Sequence, residues 1–140
     1  MAELPDSAID RHLEGARRRI SMIEPATAAA LRDEGAVLVD TRPIGQREAH
    51  GTIAGAIVID RNVLEWRIDP TSPHRDTRID PDRPLIVFCQ QGYSSSLAVA
   101  TLVDIGVRDV HDLRGGFDAW RAAGLPIEGG SAETIPRKSD

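Results

Sequence analysis

Two short apolar runs constrain the fold of this chain more than any other feature. Residues 36–40 (Ala-Val-Leu-Val-Asp) and 85–88 (Leu-Ile-Val-Phe) are apolar almost throughout, contain β-branched residues and are too short for helices. Such runs are typical of strands that are buried on both faces of a parallel sheet. Three further short segments, 20–23, 56–59 and 110–113, are the other strand candidates.

Helical patterns alternate with these strands. The first helix is amphipathic between Asp6 and Arg19, and either Asp6 or Ser7 is placed to cap its first turn. This alternation predicts a small α/β fold, in which a mainly parallel central sheet of about five strands is flanked by helices on both faces. Further helices are predicted from Pro25 to a stop at Gly35, over 60–68, over 94–105 and over 117–123, whereas 41–48 is predicted to be a loop with a short helix and the proline-rich segment 69–84 a surface loop.

Length and composition favour one domain. The 140 residues, of which 41% are hydrophobic and 28% are charged, suit a single globular unit with one core. We predict a domain over residues 20–128, preceded by an amphipathic helix within 1–19 and followed by a flexible C-terminal tail over 129–140. The run Arg17-Arg18-Arg19 is predicted to be a solvated helix end rather than a binding patch.

Charge and cysteine content exclude several classes of protein. The net charge of −5 comes from 17 basic and 22 acidic residues spread along the chain, so no basic stripe indicates a nucleic-acid partner. No apolar run approaches the roughly 20 residues of a membrane span, and we expect no membrane association. One cysteine cannot form an internal disulfide, and the first residues lack a signal-peptide pattern. We therefore expect a cytoplasmic protein.

The chemistry of the chain is expected at Cys89, which directly follows the run 85–88. Ligands bind at the carboxyl ends of the strands in α/β sheets, where loop N–H groups and the positive end of a helix dipole can face an anion. A thiolate or persulfide would be stabilised there, although by residue type alone an inert buried cysteine is an equally good interpretation. The loop would supply a tight turn at Gly92, hydroxyl groups from Tyr93, Ser94 and Ser95, and amides at the pocket rim from Gln90 and Gln91.

Five short motifs follow one another in an order that points to one family. They are Val39-Asp-Thr-Arg42, Gly51-Thr-Ile-Ala-Gly-Ala56, Phe88-Cys-Gln-Gln-Gly-Tyr-Ser-Ser95, Leu113-Arg-Gly-Gly-Phe-Asp-Ala-Trp120 and Ala123-Gly-Leu-Pro126. With these motifs the chain resembles a single-domain rhodanese over residues 20–128. The resemblance implies a thiosulfate sulfurtransferase-type enzyme, in which Cys89 accepts a sulfane sulfur from a donor such as thiosulfate, holds it as a persulfide and passes it to cyanide or a thiol. It implies no metal and no organic cofactor.

Two departures from the family pattern bear on packing and on the sulfur donor. Thr52 and Ala54 replace a histidine and a proline of the family signature, which should affect packing more than sulfur chemistry. Many members carry a basic residue in the active-site loop, whereas residues 90–95 are uncharged here, so weak use of the thiosulfate dianion is expected. We assign Arg42 to substrate binding as the first candidate for nearby positive charge, although a strand-end pair of Asp40 and Arg42 more often has a structural role.

Other cysteine enzymes fit the residues less well. A cysteine phosphatase needs an arginine six positions after the cysteine, where this chain has Ser95. Thioredoxin-type exchange needs a second cysteine, and the scattered histidines form neither a hydrolase motif nor a zinc pattern. The competing hypothesis is a non-catalytic rhodanese-like module that binds a partner or carries persulfide sulfur. We expect a monomer or a weak homodimer.

Overall fold

The fold is a five-stranded sheet with helices on both faces, as the sequence predicts. A computed structural model describes residues 7–130 of the chain. The strands are β1 (Ser21–Ile23), β2 (Val37–Asp40), β3 (Ile57–Val58), β4 (Leu85–Phe88) and β5 (Val110–Leu113), in the spatial order β1-β5-β4-β2-β3 with every strand pair parallel. The helices are α1 (Ala8–Arg17), α2 (Pro25–Asp33), α3 (Ile44–His50), α4 (Leu64–Ile68), α5 (Ser94–Asp104) and α6 (Gly116–Ala122).

Strand β4 lies at the centre of the sheet, between β5 and β2, and all four of its side chains are buried. Leu85 and Val87 join the core cluster that α4 and α5 cover, whereas Ile86 and Phe88 join the cluster that α2 and α6 cover. Successive side chains of a strand point to opposite faces, so a strand with two covered faces needs an apolar residue at every position. The carboxyl end of β4 is therefore held by packing from both sides.

The helix boundaries follow the predicted capping signals. The Ser7 hydroxyl accepts a hydrogen bond from the Asp10 N–H at 3.0 Å, so Ser7 rather than Asp6 caps α1. Helix α2 begins with Pro25, as predicted, because the missing N–H of proline has no helical partner at that position. Residues 60–68 differ from the prediction of one helix: a 3₁₀ turn, Arg61–Val63, precedes α4, and the Asp60 side chain holds that turn through the Asn62 N–H at 2.7 Å.

Both ends of the described chain contact the domain. Helix α1 packs against α5 through the buried Ala16. Thr52, which stands at the histidine of the family signature, exchanges two backbone hydrogen bonds of 2.8 Å with Glu128. The predicted C-terminal tail lies outside the described residues from position 131 onward, and residues 1–6 of the predicted N-terminal segment do so as well. Within residues 7–130, no helix combines the length and the apolar character needed to cross a bilayer.

Candidate active site

Cys89 follows the central strand β4 directly and lies in a nearly closed cradle of hydrogen-bond donors. Its side chain is 7% exposed. The N–H of Gly92 lies 3.1 Å from Cys89 Sγ and the N–H of Ser95 lies 3.4 Å from it. The Ser95 hydroxyl is a third neighbour, with Oγ at 3.2 Å from Sγ. Two backbone donors therefore point at the sulfur from the loop and from the first turn of α5, which has its positive dipole end there.

Two close backbone approaches fix the shape of this loop. Gly92 has a φ of +88°, and a Cβ there would lie 2.9 Å from the Gly115 nitrogen. Gly116 has a φ of +66°, and its Cβ would meet the Cys89 carbonyl oxygen at 2.5 Å. That carbonyl accepts the Phe117 N–H at 2.8 Å, so the loop satisfies a free donor at the start of α6. Gly92 therefore makes the tight turn that the sequence predicts, and neither Gly92 nor Gly116 has room for a side chain.

The Ser95 hydroxyl connects the sulfur to a buried carboxylate that the sequence analysis did not identify. Ser95 Oγ donates to Asp112 Oδ1 at 2.6 Å, and Ser96 Oγ donates to Asp112 Oδ2. Asp112 is fully buried. Burial raises the pKa of Asp112, while the hydrogen bonds from the two serines and the nearby guanidinium groups of Arg17 and Arg114 oppose that rise. Cys89, Ser95 and Asp112 thus form a continuous hydrogen-bonded line from the sulfur into the core.

The remaining predicted loop residues divide into two groups. The Gln90 side chain points inward rather than to the pocket rim, because its Oε1 accepts from Arg42 and its Nε2 donates to Asp118 Oδ1 at 2.6 Å. Gln91, Tyr93 and Ser94 are exposed, and Tyr93 is 61% exposed. The outer surface of the loop therefore presents an amide, a phenol and a hydroxyl without charge.

Arg42 lies close to the loop, but its guanidinium is enclosed. It donates to both Asp40 oxygens, with Nη2 at 2.8 Å from Oδ2, and Nη1 donates to Gln90 Oε1 at 2.9 Å. Nη2 also donates to the Gly51 carbonyl at 2.8 Å, and the Arg42 side chain has no exposed surface. These contacts favour the structural role that a strand-end ion pair more often has. They give no support to the substrate contact that we assigned to Arg42.

An arginine from α1 reaches the loop instead. Arg17 Nη2 donates to the Gly92 carbonyl at 2.8 Å, and Arg17 Nε donates to Ser96 Oγ at 3.2 Å. The prediction of a solvated helix end holds for Arg18, whose side chain is 72% exposed, and is wrong for Arg17. Elsewhere in residues 7–130, no group of three or more His, Cys, Asp or Glu side chains is arranged to hold a metal ion.

Comparison with known proteins identifies the family. The family model of the rhodanese-like domain matches residues 24–123. A thiosulfate sulfurtransferase GlpE of Ectopseudomonas mendocina is 42% identical over 100 residues, which cover 71% of this chain and 84% of that protein. The GlpE of Pseudomonas savastanoi pv. phaseolicola is 39% identical over 100 residues, which cover 71% and 86% of the two chains.

Two solved structures extend the likeness to most of the chain. One is a protein of unknown function from Rhodopseudomonas palustris, described as a "possible tyrosine phosphatase", with 36% identity, a TM-score of 0.79 and coverage of 91% of this chain and 99% of that one. The other is the polysulfide-sulfur transferase homodimer of Wolinella succinogenes, with 25% identity, a TM-score of 0.74 and coverage of 94% and 95%. The resemblance drawn from the five sequence motifs is confirmed, and the chain belongs to the family of rhodanese-like domains.

Proposed function

We propose that this protein transfers the sulfane sulfur of an anionic donor such as thiosulfate to a thiol or to cyanide, through a persulfide on Cys89. Its relatives make it a sulfurtransferase-type enzyme of the rhodanese family. The observation that carries the role of Cys89 is the pair of N–H groups, of Gly92 and Ser95, that point at Sγ from 3.1 and 3.4 Å. Such donors stabilise negative charge on the thiolate and on the outer sulfur of a persulfide.

The reaction needs no redox partner. The Cys89 thiolate attacks the outer sulfur of thiosulfate, a sulfur–sulfur bond forms to Cys89, and the bond to the sulfonate sulfur breaks so that sulfite leaves with the electron pair. Cyanide or a thiolate then attacks the outer persulfide sulfur, and the Cys89 thiolate is released. Each step begins and ends with one negative charge on the enzyme sulfur, which the two N–H groups hold throughout.

The line from Cys89 to Asp112 gives the thiol proton a route. The S–H donates to Ser95 Oγ, which itself donates to the Asp112 carboxylate. If both protons move one step along this line, a thiolate and a neutral carboxylic acid replace a thiol and a carboxylate, so the net charge of the buried site is unchanged. The raised pKa of Asp112, caused first by burial, favours a carboxyl that accepts this proton.

The second candidate function is a carrier that holds persulfide sulfur for a protein partner without turning over a small donor. It is favoured by the uncharged outer surface of the loop, where Gln91, Tyr93 and Ser94 are exposed, and by the low exposure of Cys89. A carrier would accept sulfur from a persulfide or polysulfide but would form no thiocyanate from thiosulfate and cyanide at a useful rate.

One experiment separates these functions. The protein is incubated with thiosulfate, or with polysulfide, and intact mass is used to detect one added sulfur atom; cyanide is then added and thiocyanate is measured. Cys89→Ser is the control. An adduct and thiocyanate from thiosulfate support the enzyme, and an adduct from polysulfide alone supports the carrier. No adduct from either donor would exclude a persulfide at Cys89, and thiocyanate formation by Cys89→Ser would place the chemistry elsewhere.

The setting of the protein is part of the same proposal. A cysteine that must be free as a thiolate suits a reducing compartment, so we place the protein in the cytoplasm. We expect a monomer or a weak homodimer, which analytical ultracentrifugation of the full chain would test.

A further inference from the structure

Helix α1 lies before the residues that match the family model, yet it is attached to the helix that begins at the active site. It packs along α5, with Ala16 only 1% exposed between them. At the far end of α5, Arg19 pairs with Asp104 at 3.0 Å. Helix α1 therefore contacts α5 near both ends of that helix, through Arg19 at the carboxyl end and Arg17 at the amino end. The second contact brings the side chain of Arg17 to the active-site loop.

Arg17 binds the residue that donates to the sulfur. Its Nη2 donates to the Gly92 carbonyl at 2.8 Å, and the N–H of the same glycine points at Cys89 Sγ from 3.1 Å. Its Nε donates to Ser96 Oγ at 3.2 Å, and its guanidinium carbon lies 5.7 Å from the centre of the Tyr93 ring. Three positions of the loop and of the first turn of α5 are therefore held by one side chain, which restricts the orientation of the Gly92 peptide groups.

The positive charge of Arg17 lies beside the first turn of α5, where it does not stabilise that helix. A cation beside the first turn of a helix opposes the helix dipole, so a nearby anion would stabilise this guanidinium. One such anion is Asp112, whose pKa both Arg17 and Arg114 lower by their charge. The charges of two guanidinium groups thus act on one buried carboxylate, and Arg17 brings a positive charge to loop residues 90–95, which have none of their own.

We propose that Arg17 is a positioning residue of the sulfur site, which holds the Gly92 peptide groups in their donor geometry and supplies the positive charge that the loop lacks. This inference rests on the proposed function, because an anionic sulfur donor is the species that would benefit. It makes α1 a part of the active site and assigns the specificity for anionic donors to a residue outside the family-matched region.

The test separates the effect of positive charge near Cys89 from the accessibility of its thiol to reagents. Rates of alkylation of Cys89 by the anion iodoacetate and by the neutral iodoacetamide are compared in Arg17→Met, Arg17→Lys and the wild type, with Arg18→Met as a matched control that loses only an exposed pair with Glu14. We expect Arg17→Met to lower the iodoacetate-to-iodoacetamide rate ratio about threefold or more at low salt. The difference should shrink at about 1 M salt, where the Debye length is about 3 Å, and Arg17→Lys should restore most of the ratio.

Thiosulfate turnover and intact mass complete the test. With thiosulfate as donor, kcat/KM should fall in Arg17→Met by at least the same factor as the alkylation ratio, whereas Arg18→Met should match the wild type. A wild type that takes up no sulfur would overturn the proposed function. If the wild type forms the adduct but the alkylation ratio of Arg17→Met equals that of the wild type, the role of Arg17 is overturned and the proposed function stands. Loss of both alkylation rates in equal proportion, with no salt dependence, also leaves this ratio unchanged and overturns the proposal in the same way.

Discussion

The hydroxyl of Ser95 offers the sharpest test of the site, because it touches both the sulfur and the buried carboxylate. Ser95→Ala removes the contact of 3.2 Å to Cys89 Sγ and the hydrogen bond of 2.6 Å to Asp112 Oδ1. It leaves the N–H of residue 95 in place at 3.4 Å from Sγ, since the backbone of α5 is unchanged. The substitution therefore tests the side chain while it preserves the two-donor cradle.

The structure allows the size of the effect to be estimated. A hydrogen bond to a buried charged group is worth about 1.5 to 3 kcal/mol, and Asp112 keeps its second partner, Ser96, in this variant. We therefore expect the free energy of unfolding to fall by about 1 to 3 kcal/mol. For catalysis, Ser95→Ala removes the hydroxyl that accepts from the Cys89 S–H, and with it the proton route, at a sulfur that keeps two N–H donors. This loss should raise the barrier by about 1.4 kcal/mol, which is about tenfold in kcat/KM.

Ser96→Ala is the matched control. It removes the other hydroxyl that donates to Asp112, but Ser96 has no hydrogen bond with the sulfur. The same hydroxyl also contacts the Gly92 carbonyl at 3.0 Å and accepts from Arg17 Nε at 3.2 Å, so Ser96→Ala also weakens the support of the loop. The assay is thiocyanate formation from thiosulfate and cyanide, and urea unfolding gives the stability of each variant. We expect comparable losses of stability in the two variants, with a loss of kcat/KM in Ser95→Ala that is several times that in Ser96→Ala.

Equal losses of activity in the two variants would refute this reasoning. They would mean that the contact between Ser95 Oγ and Cys89 Sγ adds nothing beyond the support that both serines give to Asp112 and to the loop. A loss of stability without any loss of activity in Ser95→Ala would lead to the same conclusion.

Three further predictions follow from particular contacts. Burial raises the pKa of Asp112, so the folded state binds the carboxyl proton more tightly than the unfolded state does, and ionisation of Asp112 lowers the stability of the wild type. The stability of Asp112→Asn relative to the wild type should therefore increase as the pH rises above about 4. A pH-independent difference in urea unfolding would contradict this. The Arg78 hydrogen bond lowers the pKa of Asp76 to about 2, so Asp76→Asn should cost about 1 to 2 kcal/mol at neutral pH, and this difference should disappear as the pH falls from about 4 to about 2 in thermal unfolding. Gly116→Ala would place a Cβ 2.5 Å from the Cys89 carbonyl oxygen, so we expect the loop to shift and kcat/KM to fall at least about tenfold, whereas Gly15→Ala, with no atom within 4 Å of its Cβ, should retain full activity.

The sheet could be predicted because its signals are local. Continuous apolar runs at β2 and β4 are required by burial on both faces, and Pro25 and Ser7 mark helix starts by their own backbone and side-chain chemistry. The segment 60–68 was less predictable, because the Asp60 carboxylate accepts the Asn62 N–H and so favours a 3₁₀ turn over a regular helix there. Such competition is decided by a few tenths of a kcal/mol, which residue patterns do not resolve.

The site could be predicted only where it follows the chain. The loop that begins at Cys89 was located correctly, since a strand end and a helix start are both visible in the sequence. Asp112 was missed because its contact with Ser95 joins β5 to the first turn of α5 and so depends on tertiary packing. One signal was available: Asp112 follows Val110 by two positions and therefore shares the inward face of β5. For Arg17 there was no such signal, since the packing of α1 on α5 decides which of three consecutive arginines faces the loop.

The position of the charges explains why this cradle suits sulfur better than phosphate. A phosphoryl dianion needs a guanidinium held against it, and the residue that would supply one, six positions after Cys89, is Ser95. Ser95 Oγ instead donates to the buried Asp112 carboxylate at 2.6 Å, so an acidic side chain rather than a guanidinium lies behind the sulfur. The Arg17 guanidinium, which contacts the loop, binds it at the Gly92 carbonyl. A single negative charge on a thiolate or persulfide can be held by two N–H groups, whereas phosphoryl transfer needs a guanidinium in bidentate contact with the phosphoryl oxygens, which this loop does not supply. The likeness in fold to the protein described as a possible tyrosine phosphatase is therefore no argument for phosphatase activity in this chain.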